Sequence, residues 1–157
     1  MRGLPFCGEN KWGQSPISPM PLAPELRAAY EAAHYVVFAE PELVIRIGEP
    51  NSDLDTLLEA EGALTAAYVT AANPHGVASE SAVGNIPAQA VIQTQSEAGY
   101  ACYEGEGRDP ERAWPAEPSA LIVGISRADA EELGRALEQN AIVFIEKGKA
   151  PELVVLV

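Results

Sequence analysis

Apolar residues come in short dense runs along this chain, separated by polar stretches that carry glycine and proline. The run at 64–74, LTAAYVTAANP, has almost no polar interruption until Thr70, and then breaks into small residues, Asn73 and Pro74. Apolar positions that do not alternate are the pattern of a strand covered on both faces. The alanines would also suit a helix, but Thr65, Tyr68, Val69 and Thr70 favour the strand. The stretch therefore reads as a buried central strand that delivers a polar loop to one end of a sheet. ALIVGI at 120–125 has the same character. HYVVF at 34–38 is dense in β-branched and aromatic residues, and LVIRI at 43–47 alternates, with Leu43, Ile45 and Ile47 on one face. Glu40, Pro41 and Glu42 make the turn between them, which predicts an antiparallel hairpin. YACYE at 100–104 is a further strand, and AIVFIE at 141–146 with ELVVLV at 152–157 predicts a closing hairpin over 147–151.

Helical spacing fills the intervals. Pro24 and Glu25 open a short helix through Arg27, Tyr30 and Ala33, with the proline where its missing N–H does no harm. Ser52 with Asp55 has capping-box character ahead of Leu54, Leu57 and Leu58, and Gly62 is a natural left-handed stop. Asn85 can cap a third helix with Pro87 in its first turn, a core face of Ala88, Val91, Ile92 and Gln95, and an end at Gly99. Ser126 and Asp129 open a fourth, with Ala130, Leu133 and Leu137 facing the core and an end at Asn140. The order α-β-β-α-β-α-β-β-α-β-β predicts an α/β (α+β) fold, a mixed sheet of about six or seven strands with three or four packed helices. These elements form one expected domain over 25–157. Residues 1–24, with Pro5, Pro16, Pro19, Pro21 and Pro24 and few large apolar side chains, are expected to be a disordered leader. Met20 stands just before the first helical pattern, which makes it a second candidate for the start of translation.

Composition narrows the classes of function. The apolar fraction is 47% but aromatics are only 6%, so the core must be built from Ala, Val, Ile and Leu. With 23 acidic against 10 basic residues the formal charge is −13, which repels phosphate backbones and argues against nucleic-acid binding. Arg108 and Arg112 do not offset it, because they lie among Glu104, Glu106, Asp109 and Glu111. Cys7 and Cys102 are far apart and outside any CxxC spacing, as suits a reducing cytoplasm. No apolar run approaches the roughly 20 residues of a membrane span. The expectation is a soluble cytoplasmic protein without a membrane partner.

The order of short polar motifs is more specific than any one of them. Thr70-Ala71-Ala72-Asn73-Pro74, then Asn85, then Glu117-Pro118-Ser119 ahead of a buried strand, then Gln139-Asn140-Ala141-Ile142-Val143, resembles a family of small bacterial proteins. That family is a domain of unknown function, number thirty-two ninety-three, and the resemblance runs from about 34 to 154. Its pattern usually has an aromatic where this chain has Ala72, Glu where it has Gly84, a second Glu where it has Pro118, and Phe-Gly where it has Leu137-Glu138. The resemblance implies no catalytic role, because the family has no established activity.

The motif residues fall at the ends of predicted elements, where loops converge on ligands. Thr70, Asn73, Asn85, Ser119, Gln139 and Asn140 are the candidate ligand-binding residues, a set of amides and hydroxyls able to read a planar polar molecule. Thr70 and Ser119 share an edge only if their two strands run antiparallel. The plainer alternative is that Asn73 caps a turn with Pro74, Asn85 caps a helix and Asn140 ends one. Glu117 is the best acid–base candidate, between Trp114 and a buried strand, with a solvated loop carboxylate as its alternative. His75 is a weaker general-base candidate. The two histidines have no ligand spacing, so no metal and no cofactor is expected. Cys102, without a basic neighbour in its strand, reads as a structural thiol. Ser79 and Ser81 lack a nucleophile elbow, and Gly105-x-Gly107 is too acidic in its setting to cradle phosphate. Two functions follow: a domain that binds a small polar metabolite, or a non-catalytic interaction module that pairs through an edge strand such as 152–157. Self-association into a homo-oligomer is compatible with the second.

Overall fold

A computed structural model describes residues 22–70, 87–111 and 115–157. Their elements follow the predicted order: α1 (Pro24–Ala32), β1 (His34–Val37), β2 (Leu43–Ile45), α2 (Ser52–Ala60), β3 (Thr65–Thr70), α3 (Ala88–Glu97), β4 (Ala101–Arg108), β5 (Glu117–Val123), α4 (Arg127–Ala136), β6 (Ala141–Glu146) and β7 (Glu152–Val155). The seven strands form one sheet in the order β2-β1-β4-β5-β3-β6-β7. The α+β class and the numbers of strands and helices are as expected. The sheet, expected to be mixed, is instead antiparallel at every pairing. The reason lies in the crossovers. β3-α3-β4 and β5-α4-β6 each join strands of the same direction, but each skips a place that the other unit fills. This interleaving is the split β-α-β, or ferredoxin-like, connection. The β1–β2 hairpin extends it beside β4, and β7 extends it beside β6.

Each face has its own core. Ala67, Val69, Ala120, Ile122, Ile142 and Phe144 pack beneath α3 and α4, through Ala88, Val91 and Ala130. The other face holds Tyr35, Val37, Ile45, Ala66, Tyr68, Leu121, Val123, Val143 and Ile145, with Leu54 and Leu58 of α2 packed on it. Strands β3, β5 and β6 are apolar on both faces because both are covered, which is why their runs do not alternate. The ends of the helices follow local chemistry. Asn51, one residue ahead of the predicted Ser52, caps α2 by accepting from the Leu54 amide at 3.0 Å. Ser126 caps α4 through the Asp129 amide at 3.1 Å, while α4 stops at Ala136 rather than at the expected Asn140.

The sheet curls around the Tyr35–Tyr68 face. Three links show how far. The Tyr68 hydroxyl donates to the Val36 carbonyl at 2.9 Å, although β5 and β4 lie between those two strands. In a flat sheet three strand spacings of about 4.8 Å come to ~14 Å, beyond the reach of a tyrosine side chain. The Gly48 amide, just after β2, donates to the Pro151 carbonyl just before β7 at 2.9 Å, so the two edges of the sheet approach each other at one end. At the other end Asn140, ahead of β6, donates to the Tyr30 hydroxyl of α1 at 3.5 Å. α2 closes the first end of this curl and α1 roofs the second. Among the described residues no helix is long and apolar enough to cross a membrane.

Gly105 permits the curl. A Cβ built on it would lie 2.1 Å from the Val36 carbonyl oxygen and 3.1 Å from the Tyr68 hydroxyl. Close approach of another backbone is a standard reason for glycine within a strand. Gly107, two residues on, has nothing within 4 Å of its own notional Cβ. Gly105→Ala should therefore lower stability by about 3 kcal/mol, through overpacking and loss of the buried hydrogen bond. Gly107→Ala should change it by less than about 0.5 kcal/mol. Urea denaturation of the two variants beside the parent checks the contrast.

Candidate functional site

Antiparallel pairing of β3 with β5 sets Thr70 directly opposite Ser119. The condition that the sequence left open is thus met, and the two motifs meet on the inner face of the curl. Thr70 Oγ1 lies 3.3 Å from Ser119 Oγ, and the Ser119 hydroxyl donates to the Glu117 carbonyl at 2.8 Å. Ser119 is completely buried, in the column with Leu121 and Val123.

From β6 comes the third motif. The last turn of α4 closes with two hydrogen bonds, from the Glu138 amide to the Arg135 carbonyl at 2.9 Å and from the Gln139 amide to the Gly134 carbonyl at 3.0 Å. This pair is the Schellman arrangement, whose left-handed residue is usually glycine. Here it is Glu138, at φ 57°. The turn delivers Gln139 and Asn140, both buried, to the start of β6. Gln139 Nε2 donates to the Leu137 carbonyl at 3.3 Å, and Asn140 reaches Tyr30 as described.

These groups surround a cavity of about 240 Å3 at the end of the curl roofed by α1. Thr70, Glu117 and Gln139 line it together with Tyr30, Tyr35 and Tyr68. Leu26 and Ala29 of α1, Pro115, and Ala141, Val143 and Leu153 on the sheet supply apolar wall. Ser119 and Asn140 stand behind the wall and hold Thr70 and Tyr30. Of the residues expected at a site, the curl therefore brings together Thr70, Glu117, Ser119, Gln139 and Asn140. Asn73, Asn85 and His75 lie outside the described residues.

The three tyrosines were not among the residues singled out from the sequence. Tyr35 and Tyr68 pack edge to face, with ring centroids 5.4 Å apart at 73°. The Tyr35 hydroxyl donates to the Tyr30 carbonyl at 2.5 Å. A tyrosine inside an apolar run is itself a signal, since a buried phenol needs a partner for its hydroxyl. Burial, first, drives all three phenols above their ordinary pKa, and the negative charge of Glu117 adds to the rise at each. At Tyr30 the Asn140 amide opposes the rise, and at Tyr68 the Ser119 hydroxyl does so.

Cys102, on β4, packs against the outer core below α3 and α4, and burial raises its thiol above the usual range. It therefore stands away from the cavity as a structural thiol. Gly105 and Gly107 are strand residues of β4 and form no phosphate loop. Among the described residues no group of three or more His, Cys, Asp or Glu is placed to hold a metal ion.

Two measurements follow from this geometry. Glu138→Gly removes the cost of a side chain in the left-handed region and should stabilise the fold by about 0.5–1 kcal/mol, read as a higher urea midpoint. The buried phenols also set a pH limit. Tyr35 and Tyr68 keep their protons when the unfolded chain begins to lose its own near the ordinary value of 10.0. Above that pH the unfolded state binds fewer protons than the folded one, so stability falls as pH rises. The slope should reach up to about 1.4 kcal/mol per pH unit for each phenol. Urea melts between neutral pH and pH 11.5 should show no phenol contribution below about pH 9 and a decline above pH 10. Tyr35→Phe should lessen that decline.

Comparison with known proteins adds one match. Residues 69–142 match the family model described as "Protein of unknown function (DUF3293)". No curated protein matches the chain, and neither does any solved structure. The matched segment holds Thr70, Glu117, Ser119, Gln139 and Asn140, whereas Tyr30, Tyr35 and Tyr68 precede it. The matched family is the one that the order of polar motifs resembles.

Proposed function

We propose that the chain binds a small molecule in the cavity between α1 and the curled sheet. The observation that carries this reading is the convergence of Thr70, Glu117 and Gln139, from three separate motifs, around one cavity of about 240 Å3. An apolar concave wall with a few convergent polar groups is the usual form of a small-molecule site, and the mouth of a curled sheet is a usual place for it. The wall is more phenolic and aliphatic than the amide-rich pocket expected from the motifs. Its ligand is accordingly amphipathic, with an apolar body and a polar head, rather than uniformly polar.

The reading is binding, not catalysis. The hydroxyls of Thr70 and Ser119 bond to each other and to a backbone carbonyl, so among the described residues no base is placed to activate either as a nucleophile. α1 forms the roof without a single fully buried residue, and its attachment runs through Tyr30 and the Leu26–Ala29 side facing the cavity. A helix held in this way gains contacts when the space below it fills.

A thermal-shift screen of small amphipathic metabolites tests the proposal on the parent and on Ala29→Trp, whose indole would occupy the cavity. A ligand at about a hundred times its Kd should stabilise the parent by ~2.7 kcal/mol and leave the variant unmoved. If every hit stabilises both proteins equally, the cavity is not the site.

A further inference from the structure

The two edges of the sheet differ in what they leave unpaired. Along an antiparallel strand, residues bonded to the neighbour alternate with residues whose N–H and C=O point away from it. The Leu156 amide donates to the Asn140 carbonyl at 2.7 Å, in register with the β6–β7 pairing. Bonding to β6 therefore falls on 152, 154 and 156, and Leu153 and Val155 turn their backbone groups outward. Pro151 obeys the same alternation, since its carbonyl faces outward to the Gly48 amide at 2.9 Å. Beyond that bond, β6 is the one strand beside β7 among the described residues. Two N–H and two C=O groups thus stand in a row at this edge with no strand to meet them.

The opposite edge is guarded. Within β2 the outward residue is Val44, and the Asn51 side-chain amide donates to its carbonyl at 3.0 Å. Sheets commonly blunt their edges by such covering, by charge or by proline. Residues 153–155 of β7 are Leu-Val-Val, with none of these devices.

Symmetry and charge point to the occupant. A two-fold axis through Val154 sets Leu153 opposite Val155 of a second copy, and Val155 opposite its Leu153. Each opposed pair exchanges two bonds, so four hydrogen bonds engage every outward group of both strands. Centring on Leu153 instead would set Val155 against Pro151, which has no N–H to give. The Val154 register also places Glu152 opposite Leu156 and keeps the two Glu152 carboxylates four residues, or ~14 Å, apart along the strands. Arg127 already pairs with Glu152 at 3.1 Å. The acidity of the chain is concentrated elsewhere. Residues 127–157, which form α4, β6 and β7, carry four basic and six acidic side chains, against six basic and seventeen acidic in the rest.

We propose that β7 pairs antiparallel with β7 of a second copy, centred on Val154, to form a transient homodimer with a continuous sheet. The cavity reading neither requires this pairing nor is required by it.

Sedimentation equilibrium and amide hydrogen exchange by NMR on the full chain, from about 20 μM to about 1 mM, test the pairing in the range of a short, weak interface. A reversible dimer should build up toward the higher concentration. Exchange of the Leu153 and Val155 amides should slow there by about fivefold or more, while Val44 keeps its rate. Val155→Pro removes an outward N–H without touching the bonds to β6, and should weaken the dimer by about tenfold or more. Val44→Pro, the same change on the guarded edge, should alter it by less than about twofold. Should Val155→Pro fail to fold, the exchange pattern of the parent decides. A monomer throughout the range overturns the proposal; protection of the same amides by an added extended peptide would then assign the edge to a different chain. A dimer in which Leu153 and Val155 exchange at a constant rate forms through another surface and overturns it too.

Discussion

The hydrogen bond from Tyr68 to the Val36 carbonyl ties the central strand to a strand three places away. It can form only if the sheet bends, and the bend can close only over a residue without a side chain. Gly105 is that residue: its notional Cβ would lie 2.1 Å from the accepting carbonyl. The curl then decides the rest. It turns one face of a split β-α-β sheet into a concave interior, brings Gly48 to Pro151 at one end, and lifts α1 over the other. Without the bend, Thr70 and Glu117 would stand on an open sheet surface, and Tyr30 would have no Asn140 within reach. A buried phenol that lost its acceptor would cost about 1–3 kcal/mol, so the same contact that shapes the cavity also stabilises the shape.

Burial on both faces explains what was legible in the sequence. Each helix and strand left its period or its density in the chain, and each of the three hairpins, β1–β2, β4–β5 and β6–β7, left a Pro- or Gly-bearing connection. β3 was legible because a central strand covered by α2 on one side and by α3 and α4 on the other has no reason to alternate. Pairing directions were less legible. The crossovers β3-α3-β4 and β5-α4-β6 look like units of a parallel sheet when each is taken alone. Only their interleaving makes every neighbour antiparallel, and interleaving is a long-range property that no local pattern carries. The same limit applies to the site. The polar residues could be named because they interrupt apolar runs, but their meeting depended on the Thr70–Ser119 register. Tyr35 and Tyr68 went unnoticed because in a strand they serve equally well as core.

Cap positions show a finer version of the same limit. Asn51 and Ser52 are both good N-caps, and a one-residue difference in where the backbone leaves the helical region decides which side chain accepts. At the far end of α4 the chain gives no glycine to mark the stop, so the helical spacing of Leu133 and Leu137 carries the reading on to Asn140. The helix in fact ends at Ala136, and Glu138 takes the left-handed position at φ 57°.

That turn bears on how the polar motifs should be understood. Taken singly, Gln139 and Asn140 are residues that finish a helix, and their backbone does so: the Gln139 amide closes the Schellman turn and the Asn140 carbonyl accepts from Leu156 at 2.7 Å. Their side chains do something a terminator does not require. Both are buried; one lines the cavity and the other holds the tyrosine that roofs it. Burial of two amides costs free energy unless their hydrogen bonds are met inside the protein. A surface turn would have left them in water at no such cost. The capping role and the site role are therefore not rivals at these positions. The backbone ends the helix where the side chains must enter the cavity, and α1 lies over that same point.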